Sequence, residues 1–113
     1  MIEKTIIGHL ASAQALPVCA EKPVEPLEAY ILVEKTGGAE TNHIRSATVA
    51  VQSVCRGSLQ QACQLAEEHR ELMLDLVKEK NVFHCSVNSG PYNFTDPETK
   101  EYRYQTVYNI FYK

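Results

Sequence analysis

The sequence predicts an α+β fold: one mainly antiparallel sheet with two helices packed on one face. Three observations predict it. Apolar residues recur at helical spacing in two segments. Five extended runs, several of them β-branched or aromatic, separate and follow those segments. Short connections between neighbouring strands favour antiparallel pairing, and the second helical segment bridges two strand groups.

The elements follow in order along the chain. Ile2, Ile6, Leu10 and Ala13 form the stripe of a short first helix. Pro17 stops it, because the residue before proline is driven out of helical geometry. Val18 to Glu21 reads as a short extended segment, closed by Pro23 and Pro26. Glu28 to Lys35 is apolar on both faces and is predicted inside the sheet. Thr36 to His43 is predicted as a loop, with Gly37 and Gly38 free to take positive φ. Arg45 to Val54 is the next strand, with Val49 and Val51 on one face and Thr48 and Gln52 on the other.

Ser58 opens the long helix, with Gln61 three residues on in a capping-box pattern. Leu59, Ala62, Cys63, Ala66, Met73, Leu76 and Val77 share its inner face. His69 and Arg70 interrupt that face and read as flanking or snorkelling side chains. Two strands end the sequence, Asn81 to Asn88 and Tyr102 to Tyr112. A loop running through Tyr92 to Lys100 joins them, longer than the two to five residues or so of a tight hairpin.

The bulk numbers exclude several function classes. A chain of 113 residues is one domain, predicted to span residues 1–113. Its longest apolar runs, such as Ala29 to Val33, fall far short of the roughly 20 residues of a membrane span. The first residues hold no signal-peptide core, so the chain is expected in the cytoplasm. Net charge is −3 and the Lys and Arg residues are scattered, which argues against sequence-independent DNA binding. Cys19, Cys55, Cys63 and Cys85 include no Cys-x-x-Cys pair and match no common zinc spacing, so reduced thiols are expected.

No catalytic or cofactor-binding set emerges. Gly37-Gly38 lacks the rest of a phosphate-binding motif. His84 and Cys85 are neighbours on a strand and should point to opposite faces. No serine, histidine and acid fall in a hydrolase signature, so no enzyme, metal or cofactor is expected.

Binding surfaces are easier to nominate. The two loops supply Thr36, Gly37, Gly38, Glu40, Asn42, Asn93, Phe94 and Asp96 as candidate partner-binding residues. In the last strand, Tyr102, Tyr104, Thr106, Tyr108, Ile110 and Tyr112 form the predicted core face. Val107 and Phe111 lie on the other face, which is half apolar and suited to a subunit interface. Glu68, Glu71 and Asp75 form an acidic stripe outside the long helix. It is either a solvated face, a contact for a basic partner, or a wall that does not hold DNA.

An ordered set of segments carries a family resemblance. They are Pro17-Val18, Glu21-Lys22-Pro23, Tyr30 to Gly38, Asn42-His43-Ile44, Ala47 to Ser53, Tyr92 to Asp96 and Tyr102 to Tyr108. Together they resemble the small tail-terminator (tail-completion, minor tail) proteins of long-tailed bacteriophages and prophages. The resemblance implies a virion structural protein that closes into a ring, commonly a homohexamer. That ring would cap the tail tube, stop its growth and provide the head–tail joining surface. The implied partners are further copies of the chain, the major tail tube protein and the head–tail connector protein. DNA would pass through without specific binding, and no membrane is involved. The implied location is the head-proximal end of the virion tail, and the bacterial host cytoplasm before assembly. Two alternatives stay open: a head-completion or neck connector protein of the same phage class, and a small non-enzymatic α+β ligand-binding domain.

Overall fold

The computed structural model describes residues 2–25, 27–95, 97–98 and 101–113. Its elements are α1 (Ile2–Ala13), β1 (Val18–Cys19), β2 (Ala29–Thr41), β3 (Ile44–Cys55), α2 (Leu59–Leu74), a 3-10 turn (Asp75–Lys78), β4 (Val82–Asn93) and β5 (Tyr102–Tyr112). The five strands form one sheet in the order β1-β2-β3-β5-β4. Only the short β1 runs parallel to its neighbour; the other three pairings are antiparallel. This is the α+β fold predicted, with both helices on one face of the sheet.

The helix ends explain themselves. After α1, the Gln14 amide donates to the Leu10 and Leu16 carbonyls at 3.0 Å each, and its oxygen accepts from Leu16 N at 2.7 Å. The side chain thus closes carbonyls that the helix leaves open. At the start of α2, Ser58 Oγ accepts from Gln61 N at 3.2 Å, the expected cap.

The core lies between the helices and one sheet face. Ile2, Ile6 and Leu10 of α1, Met73 of α2 and Leu76 beyond it pack on alternate strand residues. Those strand residues are Ile31 and Val33, Ala47, Val49 and Val51, and Tyr108, Ile110 and Tyr112. The period of two along each strand aims this set at the helices and sends its neighbours to the second face. Burial holds the Tyr108 hydroxyl well above the ordinary tyrosine range and lifts the Cys85 thiol to about 11.

Two segments predicted as loops are strand. β2 continues to Thr41 and β3 begins at Ile44, so the turn is only Asn42-His43. Both take positive φ, 53° and 65°, as a two-residue hairpin turn of type I′ requires. Thr36, Gly37, Gly38 and Glu40 therefore sit on a paired strand, with a register shift between Lys35 and Gly37. Likewise β4 runs on to Asn93 through three register shifts, which shortens the last loop.

Gly38 sits close to its neighbours. A Cβ there would lie 3.0 Å from the Ser46 carbonyl oxygen and 3.0 Å from the Lys35 side chain, whereas at Gly37 the nearest atoms are 3.9 Å away on Thr48. Gly38→Ala is expected to lower stability by about 1 kcal/mol and Gly37→Ala to be close to neutral. Denaturant unfolding of the two single variants checks this, and equal losses would contradict it.

Candidate functional site

The second face of the sheet, away from the helices, differs between its two ends. One end is sealed by a connected set of polar side chains. Gln52 of β3 donates to Gln105 of β5 at 3.1 Å, and Gln105 donates in turn to the Tyr92 hydroxyl. Arg103 donates to Gln52 at 3.3 Å and to Glu101 at 3.4 Å. Tyr30 of β2 donates to the other Glu101 oxygen at 3.3 Å. Lys22 and Arg56 also reach that carboxylate, at 3.3 and 3.7 Å.

Glu101 is thus the centre of this end. Its side chain is 3% exposed, and it faces three cations drawn from the segment after β1, the end of β3 and β5. A carboxylate can be buried this deeply only because these groups replace its water. Burial first, and then the charge on Glu101, raises the Tyr30 hydroxyl above the ordinary tyrosine range. The result is a rigid base for the segment that leaves β4. There Asn93 Oδ1 accepts from Thr95 N at 3.0 Å and from Thr95 Oγ1 at 2.6 Å. Phe94 N donates to the Arg103 carbonyl at 2.8 Å. The Phe94 ring stays half exposed, edge-on to Tyr92 with centroids 6.2 Å apart. Asp96 lies outside the described residues.

The other end of the same face is open and apolar. Phe111 is 42% exposed and Ile44 47% exposed. Thr41, Asn42, Ile44, Ser46 and Phe111 line a shallow groove of about 340 Å³. His84, opposite Phe111 on β4, lies against its ring with centroids 5.8 Å apart and planes tilted by 46°. Val107, further along β5, is half-buried. Cys85, next to His84, points into the core, so the two side chains do not meet.

Of the residues nominated from sequence, Asn42 and Phe111 come together at this groove. Asn93 and Phe94 do not join them: they flank Tyr104 and Arg103, roughly 23 Å along β5 at 3.3 Å per residue. Thr36 is exposed, and its hydroxyl donates to the Thr48 carbonyl at 3.2 Å. Glu40 is exposed with its carboxylate 4.0 Å from Arg45. Glu68, Glu71 and Asp75 are exposed on the helix layer, away from the open sheet face. Arg70 lies 3.5 Å from Glu71 and Lys78 3.6 Å from Asp75, so part of that charge is offset.

One contact has the look of chemistry. Ser53 Oγ lies 2.6 Å from His69 Nδ1, an arrangement able to activate a hydroxyl. Ser53 is 1% exposed and His69 3% exposed, which leaves no path for a substrate. The histidine predicted to flank or snorkel is instead buried, because Ser53 supplies a partner for its ring nitrogen. Among the described residues, no group of three or more His, Cys, Asp or Glu could hold a metal ion. The four cysteines are unpaired thiols. No described helix is long and apolar enough to cross a membrane.

Burial lowers the His69 pKa to about 4. The unfolded chain, with an ordinary histidine, binds a proton first as pH falls. The stability this group contributes is therefore complete above about pH 6.5 and is lost as pH falls towards 4, in total about 3 kcal/mol. Urea unfolding across that window should show the loss, and His69→Leu should flatten it. Parallel pH curves for the two proteins would contradict the assignment.

No protein-family model matches this chain, and a search of curated proteins finds no match.

Proposed function

We propose that this protein is a phage or prophage tail terminator, which forms a ring on the end of the tail tube, stops its growth and provides the surface that joins the head. The observation that carries this reading is the unequal second face of the sheet. One end is sealed by its own polar side chains, while the other leaves Phe111 and Ile44 exposed beside a groove. Exposed apolar side chains grouped in this way suit a protein–protein contact. An apolar surface used head-to-tail generates a ring when the rotation closes, and a ring is what a tube cap requires. The α+β architecture and the ordered sequence resemblance support the same reading.

In this proposal the Ile44–Phe111 end meets a neighbouring copy. The Asn93–Phe94 segment, on its rigid base, meets the tube or the connector. The ring number follows from the resemblance alone, as six. The test is electron microscopy of purified protein mixed with assembled tail tubes of its phage. Density confined to tube ends supports the proposal. Binding along the tube walls, or none, counts against it.

A further inference from the structure

Among the described residues, both edges of the sheet are uncovered at the same level. β1 pairs only with Ile31 and Leu32, so the rest of β2 is hydrogen-bonded on one side alone, by β3. β4 ends the sheet on the other side and pairs only with β5. A strand edge carries unpaired N–H and C=O groups, which another extended strand satisfies. Cross-strand partners share a face, so the registers define rows across the sheet. One row on the second face is Ala39, Ser46, Phe111 and His84, and the next is Gly37, Thr48, Asn109 and Ser86. Each row begins on a small residue at the free edge of β2, and the first ends on an aromatic one at the edge of β4. Phe83, left without a cross-strand partner by the register shift beside it, adds a second ring there and is 56% exposed. Gly37 has no positive φ and has room for a Cβ, so nothing within the chain calls for glycine at that position. Glycine inside a strand suits the close approach of another segment.

We infer that residues 84–87 of β4 in one copy pair with residues 37–41 of β2 in the next copy, so that one sheet runs on from subunit to subunit. The occupant is a second copy because this chain supplies both edges, with aromatic side chains on one and small residues on the other. Their directions fit as well. β2 and β4 run opposite ways in the sheet, so a rotation that sets the β2 of one copy beside the β4 of another makes an antiparallel pair. β1 does not obstruct it, since it stands at the level of Tyr92 and Asn93, beyond the register shifts that end the regular part of β4. Because the two edges differ, the contact is heterologous and gives a ring when the rotation closes. Phe111, against His84 in the same row, is carried to this contact. The inference deepens the proposed ring and rests on that reading.

Cross-linking of the full chain with a short bis-maleimide tests it without any phage component, at concentrations where sedimentation velocity shows association. The probes are Ala39→Cys and His84→Cys. Either variant alone should give no more product than the wild type, whose own thiols set the background. A one-to-one mixture of the two should give covalent dimers and nothing larger. The chain carrying both changes should give a ladder that ends at one closed size. Glu40→Cys with Phe83→Cys is a second pair at the same edges, used if the first fails to fold; all four positions are exposed. A mixture that yields no dimers, or a double variant that yields no ladder, overturns the inference. Dimers from His84→Cys alone also overturn it, because they place two β4 edges together about a twofold axis. So does a wild type that stays monomeric at every concentration. In each of these cases the tube-capping proposal is still judged separately, by microscopy.

Discussion

Replacing Glu101 with alanine should cost about 3 kcal/mol of folding stability, the low end of what breaking a buried ion pair costs. The low end applies because Lys22 and Arg56 are 52% and 41% exposed and regain water, while Arg103, 13% exposed, does not. The variant leaves the Arg103 guanidinium without its carboxylate and the Tyr30 hydroxyl without its acceptor. Nε of Arg103 already has no partner among the described residues, so that side chain has little else to turn to. Glu101→Gln should fall between, since an amide oxygen still accepts from Tyr30 but carries no charge. Denaturant midpoints for the three proteins check the order. A loss below about 1 kcal/mol for the alanine variant would mean the set contributes no more than a surface ion pair.

The second large effect is on assembly. Phe111→Asp should abolish association while leaving the monomer folded. Burying a phenylalanine is worth about 2 kcal/mol, close to thirtyfold in one contact. An aspartate there would also bring an unpaired carboxylate into an apolar groove. The ring is 42% exposed in the isolated chain, so the fold loses little when it goes. Equal melting temperatures with loss of association are the expected pair of results. Normal association would mean that Phe111 lies outside the subunit contact.

Much of the fold was legible because its periodicities are plain. The stripe Ile2, Ile6, Leu10 and the alternation of Tyr108, Ile110 and Tyr112 both lead to the core. The strand over Gly37 to Thr41 was not legible. Gly37, Gly38, Ala39 and Glu40 are all poor strand formers, and they are extended because β3 pairs with them residue for residue. The turn did leave a trace in Asn42, a residue type that tolerates positive φ.

The candidate site was legible in parts. Phe111 stood out as a large apolar side chain on the polar face of its strand, and it is exposed there. The set centred on Glu101 could not be read, because its members come from separate strands and segments and meet only through sheet register. Gln52, Arg103 and Gln105 did show as polar residues alternating with the core set, which is the signal such a set leaves. His69 was visible as a break in an apolar helix face. Its burial became intelligible only with Ser53 beside it, a partner sixteen residues away in sequence on β3.

The central claim is that this chain ends tube growth by closing on the tube. The most direct measurement adds the purified protein to polymerising tail tube protein from the same phage and follows tube length by electron microscopy. The account predicts that elongation stops at capped ends, each bearing one ring, and that Phe111→Asp fails to stop it. Tubes that keep growing at the same rate in the presence of the wild-type protein would contradict the account.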